Sequence, residues 1–235
     1  TVGRPGIPYL DWGPYPLNDW IRDLASDGWM SPKKNVYPKS GTATVSSTET
    51  NFWGPTQMDA VNTNLMRFSD VLLMAAEAEV EVGSLHQATV YVNMVRARAA
   101  DPTGWVYKNS NYDAASGTYT VNATPAANYL VKIYPADFPD QATARLAIHF
   151  ERKLELGMEG IRFFDLQRWD GVGGFSMADE LNAYAAAEYS RPGFFSFNTS
   201  AKFTAGKNEI YPLPLSEIDA QNSKGKILLK QNPGY

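Results

Sequence analysis

Apolar residues recur at helical spacing in several stretches of the chain. From Asn64 to Val82, Leu65, Phe68, Val71, Leu72, Ala75, Ala76 and Glu79 keep a 3-and-4 spacing, so the apolar members share one face of a predicted helix. Gly83 is placed to stop it just beyond the C-cap. Ser84 followed by Gln87 has the capping-box pattern for a second helix, whose stripe is Ala88, Tyr91, Val92, Val95 and Ala99. Asp101-Pro102 ends that helix, because proline lacks the donor a helix needs. A third helix is predicted from Gln141 to Leu156, with Leu146, Ala147, Phe150 and Leu154 on its apolar side and Gly157 as its stop. Ile161 to Trp169 predicts a shorter fourth, carrying Phe164, Leu166 and Trp169.

The rest of the chain lacks sustained periodicity. Pro5, Pro8, Pro14 and Pro16 forbid a regular helix near the start, although Asp19 to Ser26 predicts a short one. Ser40 to Thr50 reads as a polar loop or a weak strand. "NSNYDAASGTYTV" reads as a loop or a hairpin turning at Ser-Gly, and "NYLVKIYP" as a short extended segment. A helix is expected around Ala178 to Tyr189. "EIYPLPLSEIDAQN" predicts a short strand, a Pro-Leu-Pro extended piece and a short helix capped by Ser216. The fold class is therefore mainly α, with helical hairpins, a loop-rich region and a few short strands. The expected segments are 1–62 (loop-rich and aromatic), 63–100 (helical hairpin), 141–170 (helix-turn-helix) and 171–235 (loop-rich). The hairpin has about the length of one tetratricopeptide repeat, of which a solenoid needs about three.

Composition narrows the function classes. The chain is 44% hydrophobic and 20% charged, as in a folded globular protein. A net charge of −4, with "SPKK" (Ser31 to Lys34) as the densest basic run, gives nucleic-acid binding little electrostatic support. Without cysteine there is no thiol catalysis and no thiolate metal site. His86 and His149 are the only histidines, which argues against a multi-histidine metal centre. Both read as surface or capping residues. No Gly-x-Ser-x-Gly elbow is present. No cofactor is called for, and no metal ligand set stands out. Scattered Asp and Asn leave a structural calcium open, but no EF-hand spacing gathers them. No apolar run reaches the ~18 residues of a membrane span. The opening "TVGRPGIPYLDWG" has neither an initial methionine nor a secretion leader, which suggests a fragment or a processed product.

The densest cluster of charge is "HFERKLELGMEGIRFFDLQRWD", His149 to Asp170. Glu151 and Glu155 stand four apart, hence on one helix face. A glycosidase needs two carboxyls facing each other across the scissile bond, roughly 5–9.5 Å apart. Carboxylates on one face point the same way, so a partner acid would have to come from elsewhere. A structural corner fits better. Arg152, Arg162 and Arg168 supply donors for Glu151, Glu155 and Asp165, and Gly157 and Gly160 permit a sharp turn.

Several blocks now read together. "RFSDVLLMAAEAEVEVG" (Arg67 to Gly83), "VNMVRARA" (Val92 to Ala99), "FERKLELGMEGIRFFDLQRW" (Phe150 to Trp169), "IYPLPLSEI" (Ile210 to Ile218) and the terminal "QNPGY" resemble, in order and spacing, the C-terminal half of the SusD/RagB family. "GRPGIPYLDWG", "WIRD" and "KKNVYPKS" resemble the region just upstream in some members. The resemblance implies an α-superhelix of tetratricopeptide-like hairpins. It implies a non-catalytic outer-membrane lipoprotein that binds oligosaccharide or polysaccharide at the cell surface and acts as a lid on a SusC-like TonB-dependent transporter. Arg67, Glu77, Arg96, Glu151, Arg152, Glu155, Glu159, Arg162, Asp165 and Arg168 would then be a fold signature. The lipidated N-terminal cysteine and most repeat hairpins of such a protein are not in this sequence. The chain is thus expected to be a piece that pairs with the missing N-terminal half or self-associates through an exposed apolar face.

Aromatic residues make up 13% of the chain, and Trp12, Trp20, Trp29 and Trp53 fall in its first quarter. Sugars offer C–H faces to aromatic rings and hydroxyls to amides and carboxylates. The expected ligand contacts are therefore Trp12, Tyr15, Trp20, Trp29 and Trp53, with Asp11, Asn18, Asp19 and Arg22 beside them. Trp20 could instead pack with Leu24 in a core, whereas Trp29 and Trp53 adjoin Gly28 and Gly54 in loops, which favours exposure. Trp169 belongs in the core. Two other readings stand beside glycan binding. A glycoside hydrolase would release reducing ends, and a helical-repeat scaffold would capture protein partners regardless of sugar.

Overall fold

The computed structural model describes residues 64–111, 120–189, 202–223 and 225–235. Two compact units divide at Glu159 and Gly160. The predicted short helix at Asp19 to Ser26 and the polar stretch at Ser40 to Thr50 lie outside the described residues.

In the first unit, α1 (Phe68–Val82) and α2 (Leu85–Ala100) form the predicted hairpin, and α3 (Gln141–Glu155) packs on both. Ala, Leu, Glu and Met dominate α1, residues that lose little freedom in a helix. At the connection, the backbone N–H of Ser84 donates to Glu79 Oε2 at 2.9 Å. A Cβ on Gly83 would lie 2.1 Å from that oxygen, so glycine leaves room for the carboxylate. Ser84 is the N-cap of α2 and accepts from the Gln87 N–H. The reciprocal half of the capping box comes from Glu79 of α1 rather than from Gln87.

Leu72, Leu73, Ala76 and Val80 of α1 meet Ala88, Val92 and Val95 of α2, Ala144 and Ile148 of α3, and Phe138. This corrects two predicted faces. Phe68 is 69% exposed, and Leu65 and Val71 are also exposed, while Leu73 is fully buried. On α3, Leu146, Phe150 and Leu154 are 69%, 54% and 56% exposed, and the inward arc is Ala144, Ile148, Glu151 and Arg152. The inner arc of each helix is chosen by its two neighbours, and these present charge as well as hydrocarbon. The apolar stripe of α3 is therefore displaced from the interface.

The link from α2 to α3 contains strands β1 (Tyr107–Ser110) and β2 (Thr120–Pro125), an antiparallel pair. The proposed Ser-Gly turn between them lies outside the described residues. "NYLVKIYP" forms no strand. Asn93 of α2 holds it instead, donating to Tyr134 O at 3.0 Å and accepting from Tyr134 N at 2.8 Å. Thr89 Oγ1 accepts from Phe138 N, which fixes the ring that enters the core. Asp140 then caps α3 by accepting from Thr143 N at 2.7 Å.

The second unit contains α4 (Arg162–Trp169), α5 (Met177–Tyr189) and α6 (Leu215–Asn222), with a 3-10 turn at Val172–Gly174 between the first two. Leu166, Trp169 and Met177 form its core with Phe163, Phe175, Leu181 and Phe203. Trp169 is buried as expected, whereas Phe164 faces solvent and Phe163 packs in its place. "EIYPL" is no strand either. Gln231 both accepts from Leu213 N and donates to Leu213 O, and Asn232 donates to Tyr211 O. Side-chain amides thus supply the backbone partners that a sheet would otherwise provide. Pro214, not Ser216, occupies the N-cap of α6, and no side chain caps it.

Candidate functional site

The acidic face of α3 is built into a lattice of arginines. Glu151 accepts from Arg96 Nη1 of α2 at 2.6 Å. Glu155 accepts from Arg67 Nη1 at 2.7 Å and also from Arg98 Nη2. Glu159 takes both Nε (3.0 Å) and Nη2 (2.6 Å) of Arg67 in a bidentate fork. Arg67 Nη2 also donates to the Glu155 carbonyl, one of the carbonyls left open at a helix end. Arg67 immediately precedes α1, so a single guanidinium joins the start of that helix to the end of α3.

Arg152 points the opposite way, into the interior, with its side chain 2% exposed. It lies 2.8 Å from Asp70 and 3.4 Å from Glu77, both on α1. The nearest pair of atoms, Arg152 Nη1 and Asp70 Oδ1, is close in distance but poorly aligned for a hydrogen bond.

This arrangement differs from the pairing expected within the motif. Arg168 does bind Asp165, at 2.9 Å. Arg152 goes to Asp70 and Glu77 of α1, and Arg162 to Glu180 of α5 at 3.1 Å. The partners of Glu151 and Glu155 come from the helical hairpin. Sequence reasoning missed Asp70 and Arg98. Asp70 lies on the inward arc of α1, which becomes readable only once that arc is known, whereas Arg98 is an exposed residue of α2 that reaches Glu155. In the second unit Arg162 and Arg168 also lie over the Trp169 ring, at 5.6 Å and 4.9 Å.

Hydrogen bonding and burial shift several charged groups of the described residues. Hydrogen bonding to Glu159, then to Glu155, raises the Arg67 guanidinium further above its ordinary range, against the opposing effect of burial. Burial lowers Arg162, and Glu180 partly restores it. Three carboxyls are held below the usual range: Glu81 by Arg145, Asp101 by the Thr103 N–H and Asp140 by the Thr143 N–H.

These depressed carboxyls predict an acid limit. Their folded forms bind protons less readily than their unfolded forms, so the stabilisation is complete above the ordinary carboxyl pKa of about 4 and is lost as pH falls through the lower folded values. The melting temperature is expected to stay level from about pH 7 to pH 5 and to drop below about pH 4. Asp140→Asn, which keeps the capping oxygen without the charge, should flatten part of that drop. An equal drop in wild type and variant would exclude Asp140 as a contributor.

The expected ligand contacts Trp12, Tyr15, Trp20, Trp29, Trp53, Asp11 and Asn18, and the neighbouring Asp19 and Arg22, lie outside the described residues. Among the described residues no group of His, Asp and Glu could hold a metal ion, and no helix is long and apolar enough to cross a membrane. His86 is exposed at the start of α2 and lies 3.0 Å from Asp137. The described aromatic residue pair with the closest parallel stacking is Trp105 with Tyr129, at 4.5 Å between centroids and 9° between planes. Neither ring was singled out in the sequence.

Comparison with known proteins agrees with this architecture. The model of the SusD family matches residues 24–235. A crystal structure of a SusD homolog from Bacteroides thetaiotaomicron VPI-5482 is similar to the chain with a TM-score of 0.51 and 25% identity. The similarity covers 80% of this chain and 30% of that one, so the chain spans less than a third of the homolog's length. No curated protein matches. With the family model matched across most of its length and a mainly helical fold shared with a solved homolog, the chain belongs to the SusD family.

Proposed function

We propose that the chain is part of a non-catalytic cell-surface glycan-binding protein that delivers oligosaccharide to a SusC-like TonB-dependent transporter of the outer membrane. The observation that carries this reading is the family match over residues 24–235. The geometry of the motif supports it. Glu151, Glu155 and Glu159 are each engaged by arginine, which suits a strut and not an acid–base pair. In this reading the ligand platform is the aromatic stretch Tyr9 to Trp53, with Trp12, Tyr15, Trp20, Trp29 and Trp53 stacking on sugar rings and Asp11 and Asn18 meeting hydroxyls. The N-terminal half of the same protein would complete the hairpin array and carry the lipid anchor.

Calorimetric titration against linear α-glucan, β-glucan, xylan and mannan oligosaccharides tests it, with reducing ends assayed on the same samples. Saturable heat with no new reducing ends is expected. Alanine at Trp12, Trp29 or Trp53 should weaken binding by roughly tenfold each if a full ring contact is lost. New reducing ends would establish a hydrolase instead. Absence of heat with every glycan would remove the binding role from this chain.

A further inference from the structure

Trp105 and Tyr129 belong to neither hydrophobic core, yet they are held firmly. The indole Nε1–H donates to Ala99 O at 3.1 Å, at the end of α2. The Tyr129 hydroxyl accepts from Val106 N at 2.9 Å. Backbone bonds therefore fix both rings before any ligand arrives, which lowers the entropic cost of stacking against them. Each ring is half-buried. The inner faces cover each other, and each residue keeps part of its surface accessible. The Tyr129 hydroxyl accepts a hydrogen bond from the Val106 N–H, which leaves its own O–H available to donate.

The neighbouring ribbon is otherwise unexplained. Among the described residues, strands β1 and β2 pair only with each other and contribute nothing to either core. Isolated two-stranded ribbons are marginal in water. This one carries Lys108, Thr120, Val121 and Thr124 exposed, and the Ser110 hydroxyl lies 3.2 Å from Asn122 Oδ1. Tyr107 at its base is tied to Pro102 O. A preset aromatic pair beside hydroxyl and amide groups matches the two surfaces of a sugar, its C–H face and its hydroxyl rim.

We propose that the Trp105–Tyr129 stack and the β1–β2 ribbon form a carbohydrate-contact surface additional to the Tyr9 to Trp53 stretch. This inference rests on the glycan-binding reading above. The ligand class is an oligosaccharide, because the platform offers aromatic rings together with hydroxyl and amide groups.

The test is titration of the full chain, wild type and variants, with the same α-glucan, β-glucan, xylan and mannan oligosaccharides. Trp105→Ala and Tyr129→Ala are each expected to weaken the best ligand by roughly tenfold, the size of one good ring contact. Trp105→Phe, which keeps a ring and loses the bond to Ala99, should remain within about threefold of wild type. A purely structural clasp would lower the melting temperature of the alanine variants and leave affinity unchanged, and that result overturns the proposal alone. No heat from wild type overturns the glycan-binding reading and this inference together. If the alanine variants do not fold, 5-fluorotryptophan labelling of the unchanged sequence decides. The Trp105 resonance, identified by its absence from Trp105→Phe, is expected to shift at saturating oligosaccharide. A stationary resonance would reject the contact.

Discussion

Arg152→Ala is expected to destabilise the first unit by about 3–5 kcal/mol, the usual cost of removing one partner from a buried ion pair. The guanidinium is almost fully buried against Asp70 and Glu77, whose side chains are only 9% and 17% exposed. Its loss leaves two carboxylates in a setting too dry to solvate them. A typical domain has about 5–15 kcal/mol of stability in total, so this single change could consume a large share of it. Urea denaturation measures the effect. Lys153→Ala, at the next and exposed position, should stay within about 0.5 kcal/mol of wild type. Arg152→Met tests the reason. It restores volume but not charge, so it should remain nearly as unstable as the alanine variant. Recovery by methionine would mean that packing, not charge, is what Arg152 contributes.

Ile148→Ala should cost about 2–5 kcal/mol, the range for large-to-small changes at fully buried sites. Ile148 is fully buried where α3 meets the hairpin, together with Leu73, Val92 and Val95. Three elements converge there, so no single neighbour can move to fill the void without leaving another. Phe150→Ala and Leu154→Ala, on the exposed side of the same helix, should each cost less than about 1 kcal/mol. The contrast reads out which face of α3 points inward. If Phe150→Ala proved as damaging as Ile148→Ala, the apolar stripe seen in the sequence would be the packed face and the arrangement described here would be wrong.

Those paired predictions also mark how far the sequence could be read. Helix positions and stops were legible, because they depend on local chemistry. Propensity along α1, the glycine after Val82, Ser84 as an N-cap and Pro102 after α2 all act within a few residues. The ordered blocks from Arg67 to Tyr235 were legible for the same reason, and they sufficed to place the chain in its family. The strand prediction failed at "EIYPL", since the partners of that backbone are the amides of Gln231 and Asn232, and the extended run "NYLVKIYP" is likewise held by the amide of Asn93. Nothing in an extended-looking run says that a distant side chain will take the place of a neighbouring strand.

By itself, the sequence determined the helices of the described residues and nearly where each one ends, and that Glu151 and Glu155 share one helix face, so that an acid facing them would have to come from elsewhere. Only the tertiary structure decided which side of each helix is buried and which arginine meets which carboxylate. Periodicity belongs to one helix, whereas burial belongs to the helices packed together. Arg96 meets Glu151 across 55 positions of chain and Arg67 meets Glu159 across 92. Contacts at that separation exist only after the hairpin and α3 have packed, and it is that packing which turns the polar arc of α3 inward and leaves Leu146, Phe150 and Leu154 outside.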